Sequence, residues 1–212
     1  MRTLIIVPTH NEAANICTVL DEIQRHVPNT DIMVIDDSST DETRSLVRKR
    51  IAAGDSIEIV EREEKRGLGD AYLHAFRLAL TDGYDAVVEI DADMSHDPAV
   101  LPTMLAVAER GIDLVIGSRY IPGGSVVGWP RRRTWLSRWG NRYAAIMLGL
   151  AVNDATAGYR VYRTDALRAI SLDGIQAGGY GFQVEMTYRT VGKGLSVVEI
   201  PIQFRDRVAG TS

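Results

Sequence analysis

A chain of 212 residues is long enough for one large domain with a substantial core, and its 45% hydrophobic and 25% charged content is that of a globular protein. A net charge of −4 excludes nucleic-acid binding by bulk electrostatics, so no nucleic-acid partner is expected. The single cysteine, Cys17, excludes an intrachain disulfide and a Cys-based zinc site, and no apolar run reaches the roughly 18 residues of a membrane-spanning helix.

TLIIV at 3–7 is an apolar, β-branched run that reads as a buried strand, with Pro8 expected to end it. Apolar residues at helical spacing, Ile16, Val19, Leu20 and Ile23, predict a helix within 13–26, with Cys17 packed on it as a small apolar side chain. DIMVI at 31–35 is a second strand. The DDSSTDET run after it offers helix caps, a role expected of Ser38, Ser39 and Thr40, and Leu46, Val47 and Ile51 continue a helical stripe. SIEIVE at 56–61 alternates as a third strand, KRGLG at 65–69 turns into a helix ending at Gly83, and DAVVEI at 85–90 is a fourth strand. PAVLPTMLAVAERG is a further helix begun through a proline near its first turn, and IDLVIGSRY at 112–120 a fifth strand. Strands alternating with helices of about 10–15 residues predict an α/β fold with a mostly parallel sheet flanked by helices.

Beyond Tyr120 the rhythm breaks. IPGGSVVGWP leads into RRRTWLSRWGNRYAAIMLGLAV, and strand-like AGYRVYR and LSVVEIPIQF come after it, separated by a helix containing FQVEMTYRTVG. With no internal repeat or low-complexity linker, one domain is expected over 1–212, with an α/β nucleotide-binding half up to about residue 120 and a more specialised half from about 121.

Ligands of open α/β sheets bind beyond the carboxyl ends of the strands. PTHNE, DDSST, DADMSH and GSRY all fall there. Asp91 and Asp93 are two residues apart, and in extended chain such side chains point the same way. Two close carboxylates stay ionised when a cation lies between or beside them, and a hard oxygen-ligand metal, Mg²⁺ or Mn²⁺, fits. The plain alternative is a solvated turn with a helix cap. In PTHNE, His10 and Glu12 are placed to reach a base or ribose, and Asp36 and Asp37 to accept from ribose hydroxyls or base N–H groups. Neither GxGxxG after the first strand nor GxxxxGK[ST] is present, which counts against a dinucleotide site and a P-loop. KRGLG is either a binding loop or a polar turn.

From Leu114 to Asn153 there is no acidic residue, while Arg119, Arg131, Arg132, Arg133, Arg138 and Arg142 fall in that window with Trp129, Trp135, Trp139 and Tyr143. Arginine forks bind phosphate and tryptophan favours a membrane interface, so an acceptor site beside an anionic membrane surface is expected rather than a merely solvated basic face.

PTHNE, DDSSTDET, KRGLGDAY, DADMSH, GSRY, DATAGYR, GYGFQVE and FRDRVAGTS, in this order and spacing, resemble glycosyltransferase family 2 over the whole chain. More narrowly they resemble the dolichol-phosphate mannose synthases and the actinobacterial polyprenol-monophosphomannose synthases. The resemblance implies a GT-A fold, Rossmann-like, and inverting transfer of mannose from GDP-mannose to a polyprenyl phosphate. It implies that Pro8, His10, Glu12, Ile35 and Asp37 line the nucleoside pocket, and that Asp91, Ala92 and Asp93 hold the diphosphate through the metal. It further implies that Arg119, Arg133, Ser137 and Arg207 face phosphates of donor and acceptor, with Asp91, Asp93 and Arg119 the catalytic set. Two departures stand out. Ser95 occupies a position where some relatives carry a glutamine able to complete the metal shell. FRDRVAGTS ends where relatives continue with a lysine and a further helical segment, and many bacterial relatives add membrane helices. Anchoring at the cytoplasmic face of the membrane is therefore expected to be interfacial or supplied by a membrane-anchoring partner protein.

The chemistry sets one further expectation. A phosphate monoester has a second pKa of about 6 and is largely dianionic at pH 7, so no catalytic base is required of the protein. The nearest alternative is a polyprenyl-phosphate glycosyltransferase using another nucleotide sugar such as UDP-glucose. A sugar-1-phosphate nucleotidyltransferase would carry a glycine-rich loop after the first strand, which PTHNE is not. A non-catalytic nucleotide-sugar binding module is the third reading.

Overall fold

The computed structural model describes residues 1–64, 67–175 and 178–206. The first half alternates strand and helix: β1 (Thr3–Thr9), α1 (Ile16–His26), β2 (Asp31–Asp37), α2 (Thr43–Ala52), β3 (Ile57–Arg62), α3 (Leu68–Thr81), β4 (Ala86–Glu89), a 3-10 turn at Pro98–Val100 running into α4 (Leu101–Glu109), and β5 (Leu114–Ser118). The second half contains β6 (Ser125–Val127), α5 (Arg131–Leu148), β7 (Arg160–Arg163), α6 (Thr164–Ile170), α7 (Tyr180–Gly192), β8 (Val197–Pro201) and β9 (Gln203–Arg205).

One seven-stranded sheet, ordered β3-β2-β1-β4-β7-β5-β8, holds strands from both halves, while β6 and β9 pair separately. All pairings in the large sheet are parallel except those of β7, which runs antiparallel between β4 and β5. Alternate residues of each strand feed opposite faces. In β1, Ile5 and Val7 pack with Ile16, Leu20, Ile23, Val47 and Met104, against α1, α2 and α4. Leu4 and Ile6 pack with Tyr72, Phe76, Phe182, Met186 and Leu167, against α3, α6 and α7. Burial on both sides explains the near-continuous apolar runs that mark these strands in the sequence. Cys17 is a partly buried thiol packed against the first of these clusters.

Several expectations change. Pro8 does not end β1: the strand continues through Pro8↔Ile35 and Thr9↔Asp36, whereas pairing with β4 stops at Ile6↔Glu89. The Ile6 carbonyl faces β4, where it accepts from Ile90 N–H. By the two-residue repeat, the N–H that Pro8 lacks would also face that side, beyond the last rung of the ladder, so proline costs no hydrogen bond there. The second strand likewise runs on through Asp36 and Asp37, which pair with Glu61 and Arg62. IPGGSVVGWP contains β6, and LSVVEIPIQF splits into β8 and β9 in two different sheets.

The antiparallel course of β7 shapes the carboxyl edge of the sheet. It brings the segment ahead of it, Asp154 to Gly158, to the same edge as the carboxyl ends of β4 and β5.

Candidate active site

At the ends of β1 and β2 two loops hold each other. His10 Nδ1 lies 2.8 Å from the Asp37 carbonyl oxygen, Asn11 N–H donates to Ser39 Oγ at 2.9 Å, and Thr40 N–H donates to Asn11 Oδ1 at 2.8 Å. Asn11 and Ser38 both sit at positive φ, 59° and 66°. Ser38, Ser39 and Thr40 therefore do not cap α2. They bridge to neighbouring loops, and Asp41 takes the capping role through Thr43 N–H at 3.0 Å. The Glu12 carbonyl starts α1, its N–H donates to Thr43 Oγ1 at 2.9 Å, and its carboxylate accepts from Asn15 Nδ2.

The two aspartates of β2 separate in role. Asp36 is fully buried, accepting from Ser39 N–H, Arg44 Nε and Thr9 Oγ1, and the expectation that it meets a ribose or base is withdrawn on that ground. Asp37 lies at the strand end, accepting from Gly67 N–H at 2.9 Å with Arg62 Nη1 3.2 Å from its other oxygen. Gly67 has φ 89°, a conformation open to glycine, and that turn aims its N–H at Asp37. Lys65 and Arg66 of KRGLG lie outside the described residues.

Past Ile90 the chain leaves strand geometry and turns at Ala92 and Asp93, with Met94 at φ 61°. Strand alternation therefore does not set the aim of Asp91 and Asp93, a correction to the sequence reading. Asp93 Oδ1 accepts Ser95 N–H at 3.0 Å, closing the turn. Asp91, with a side chain 33% exposed, has His96 Nε2 3.3 Å from Oδ2. A Cβ built on Gly158 would lie 3.7 Å from the same oxygen, so the lead-in to β7 passes directly beside this carboxylate. His96 is buried between Tyr159 and Phe204, with centroids at 5.1 and 5.3 Å. Among the described residues Ser95 Oγ and His96 Nδ1 are buried without a hydrogen-bond partner, and no three His, Cys, Asp or Glu side chains form a metal cage.

Arg119 lies just past β5 and is 7% exposed. Its Nε and Nη2 fork onto Asp154 at 2.7 Å each, Nη2 also donates to Thr156 Oγ1 at 2.9 Å, and its backbone N–H donates to Asp154 Oδ2 at 3.0 Å. Asp154 is fully buried, and its own N–H is held by Glu199 of β8. The guanidinium lies over Tyr120, Trp129 and Phe204, at 5.1, 5.8 and 5.5 Å from their centroids. Trp129 also carries Arg133, 3.9 Å from its ring, and donates to Asp206, which is 3.6 Å from Arg133 Nη1. Tyr120 donates to Ser137 Oγ at 2.7 Å. Thus Arg119, Arg133 and Ser137 come together, and Phe204 joins them to His96 and Asp91. Gly124 makes this possible: a Cβ there would lie 2.6 Å from the Ser118 carbonyl oxygen and 2.8 Å from the Arg119 carbonyl carbon.

The helix α5 is amphipathic in the reverse sense. Its inward stripe is Thr134, Ser137, Asn141, Ala144 and Ala145, and only Asn141 and Ala145 are buried. Its outward surface carries Trp135 (67% exposed), Leu136, Trp139, Tyr143, Ile146 and Met147 beside the arginines, with Trp139 stacked on Tyr143. No helix among the described residues is long and apolar enough to cross a membrane.

Beneath Asp91 lies a buried polar cluster. Glu89 accepts from Gln183 Nε2 at 2.8 Å, yet among the described residues Glu89 Oε1 and Gln183 Oε1 have no partner, nor has the Tyr72 hydroxyl. Burial pushes the Glu89 carboxyl up to about 8, over the opposing effects of Arg160 and the Gln183 hydrogen bond. Arg160, its neighbour across the β4–β7 ladder, is fully buried and bonds instead to the carbonyls of Ala155, Ala157 and Gln183 and to the hydroxyls of Tyr162 and Thr187.

Of the residues singled out in the sequence, Pro8, His10, Glu12, Asp37, Asp91, Asp93, Arg119, Arg133 and Ser137 all lie at the carboxyl edge of the sheet or on α5 beside it. Ile35 and Ala92 present almost no side-chain surface, being 0% and 3% exposed. Arg207 lies outside the described residues. Sequence reasoning missed Asp154 and Thr156, which hold Arg119, Asn141, which bonds Thr156, and His96 and Phe204, which connect Arg119 to Asp91. DATAGYR, with an isolated acidic residue just after an acid-free stretch of forty, was the available signal for the first of these.

The model of the family described as Glycosyl transferase family 2 matches residues 4–171. An undecaprenyl-phosphate mannosyltransferase of Micrococcus luteus is 49% identical over all 212 residues of this chain, which cover 87% of that relative. A polyprenol monophosphomannose synthase of Mycolicibacterium smegmatis is 43% identical over the same span, 80% of its own length. Among solved structures, glucosyl-3-phosphoglycerate synthase from Mycobacterium tuberculosis, in complex with Mn²⁺, UDP-glucose and phosphoglyceric acid, superposes with a TM-score of 0.71 at 22% identity, over 99% of this chain and 72% of that one. That enzyme has also been solved with Mg²⁺ and UDP, at a TM-score of 0.72. The structural likeness fixes the GT-A fold, the sequence likeness runs the length of the chain, and the protein belongs to glycosyl transferase family 2.

Proposed function

We propose that this enzyme transfers mannose from GDP-mannose to a polyprenyl phosphate, inverting the anomeric carbon and producing polyprenyl-phosphate-mannose. The observation that carries the proposal is the pairing, at one sheet edge, of the Asp91–Asp93 turn with the Arg119, Arg133 and Ser137 cluster on the acid-free side. Two relatives that match over the whole of this chain, and are named for mannosyl transfer to undecaprenyl phosphate and for polyprenol monophosphomannose synthesis, support the choice of sugar and acceptor.

On this reading the first half of the chain serves the donor. Asp37 and His10, at the ends of β2 and β1, face the nucleoside, with Pro8 and Glu12 framing that pocket and the fully buried Ile35 supporting it from the core. Asp91 and Asp93 would hold a divalent cation. The donor set fits one: it is all oxygen, and the buried Ser95 hydroxyl beside Asp93 has no hydrogen-bond partner among the described residues. Mg²⁺ or Mn²⁺ bound there would supply Lewis-acid neutralisation of the leaving diphosphate.

The acceptor half supplies the cations that bring a second anion up to the first. Arg119 is preset by its fork to Asp154 and needs no reorganisation as the substrates meet. Arg133 and Ser137 on α5 meet the lipid phosphate, and Arg207 joins them. Because that phosphate arrives largely dianionic, the chain positions it and screens repulsion rather than removing a proton. The outward aromatic and arginine surface of α5 rests on an anionic membrane, placing the enzyme peripherally at the cytoplasmic face, with a membrane-anchoring partner as an additional tether.

The test offers radiolabelled GDP-mannose, UDP-glucose and other nucleotide sugars with a short polyprenyl phosphate and Mg²⁺ or Mn²⁺. Label entering the organic phase from GDP-mannose alone supports the proposal. Label from UDP-glucose assigns a different donor, and release of pyrophosphate points to nucleotidyl transfer.

A further inference from the structure

α5 carries the acceptor-side residues, yet its seat is almost devoid of apolar packing. A helix normally docks by burying a hydrophobic stripe; here the buried stripe is polar or small and the hydrophobic one faces out. Besides the Tyr120–Ser137 hydrogen bond, the attachment is made by hydrogen bonds that converge on Thr156. Thr156 Oγ1 accepts from Arg119 Nη2 at 2.9 Å and from Asn141 Nδ2 at 2.9 Å, and donates to Asp154 Oδ1 at 3.3 Å. A threonine hydroxyl has one proton and two lone pairs, so all of its capacity is used. The Thr156 backbone N–H closes a second link, donating to Asn141 Oδ1 at 3.1 Å, and Asn141 Nδ2 also reaches the Ser137 carbonyl at 3.1 Å.

We infer that Asn141, Thr156 and Asp154 are positioning residues that lock the Arg119 guanidinium and helix α5 into one unit, so the two phosphate-facing arginines, Arg119 and Arg133, keep a fixed separation. Asp154 takes the fork of Arg119 and sets its plane. Thr156 fixes the remaining edge and passes that placement to Asn141. Asn141 is the only buried polar side chain of α5 and lies one turn beyond Ser137 and two beyond Arg133. The tie is polar for a geometric reason: an apolar seat tolerates sliding, whereas a saturated hydroxyl and a two-point amide bond fix both distance and rotation. The inference rests on the proposed assignment of Arg119 and α5 to the acceptor phosphate.

The test uses Thr156→Val, which keeps the shape and removes the hub, and Thr156→Ser, which keeps the hub. Mannosyl transfer is measured while lipid phosphate and GDP-mannose are varied separately, and GDP binding is titrated directly. Thr156→Val is expected to lower kcat/KM for lipid phosphate by about 10- to 100-fold, as for a misplaced catalytic group, with the GDP affinity changed by less than about threefold. Thr156→Ser is expected to recover to within about threefold of the parent enzyme, and Thr156→Val combined with Arg119→Lys to cost less than the product of the two separate losses, since both changes loosen the same link between the guanidinium and α5. Thr164→Val, stripping a buried hydroxyl at the opposite edge of the sheet, controls for stability and is expected to lower Tm with unchanged kinetics. If Arg119→Lys is impaired while Thr156→Val matches the parent, or if the two losses multiply, the positioning chain is refuted and the assignment of Arg119 stands. If Arg119→Lys itself matches the parent, the assignment has failed and the inference fails with it.

Discussion

Replacing Glu89 with glutamine should make the metal-free protein more stable at pH 8 and change little at pH 4.5. In the unfolded chain this carboxyl releases its proton near its ordinary value of 4.5; in the folded chain burial holds the proton until about 8. Between these values the folded state binds more protons than the unfolded state, so this group makes stability fall as pH rises. Its contribution is complete below pH 4.5 and lost above pH 8. An interval of about 3.5 pH units, at about 1.4 kcal/mol each, is worth about 5 kcal/mol. For a chain of this length that is roughly 10 °C or more in Tm. Glutamine removes the ionisation and keeps a donor for the unpartnered Gln183 Oε1, so it preserves the shape of the cluster. The assay is thermal unfolding of both proteins from pH 4.5 to 9 in chelator, and the difference between the two curves isolates Glu89 from every other titrating group. Parallel curves across that range would refute the reasoning.

Other consequences can be checked in parallel. Arg133→Ala should raise the KM for lipid phosphate by about tenfold while leaving that for GDP-mannose within about twofold, as expected for one lost charge-assisted contact; a loss confined to GDP-mannose would reassign that arginine to the donor. Replacing Trp135 and Trp139 with serine should weaken binding to anionic liposomes by roughly tenfold or more, given the apolar area each side chain exposes, and the residual binding should fall with salt. Unchanged partitioning would mean that α5 is only a solvated face. Gly124→Ala should cut transfer sharply with a modest loss of Tm, because its methyl group would displace the backbone at Arg119; activity equal to the parent would show that this loop gives way freely.

Much of the fold was legible because β1, β2, β4 and β5 are buried on both faces, β3 alternates and the helices are amphipathic, so period and composition agreed from Thr3 to Ser118. Direction and partner were not legible. RVYR is as apolar antiparallel as it would be parallel, and nothing local says that it enters between β4 and β5. That one insertion decides the site, since it carries Asp154 and Thr156 to Arg119 and Gly158 to Asp91. The polar clusters at strand ends were correctly located by the α/β rule, but their internal roles were not. Asp36 and Asp37 are neighbours in sequence, yet alternation sends one into a sealed hydrogen-bond network and leaves the other at the carboxyl end of β2, bonded to Gly67. For α5 the composition was informative and the periodicity misleading: its hydrophobic residues mark the surface away from the core, and its seat is an asparagine that a search for apolar stripes passes over.

The most direct test of the central claim compares parent enzyme and Asp93→Ala in transfer of labelled mannose from GDP-mannose to a polyprenyl phosphate, with Mg²⁺ or Mn²⁺ present and with chelator. The account predicts metal-dependent label in the lipid product for the parent, and none above background for Asp93→Ala despite an unchanged circular dichroism spectrum. Turnover near the parent level by folded Asp93→Ala, or parent activity indifferent to chelator, would contradict it.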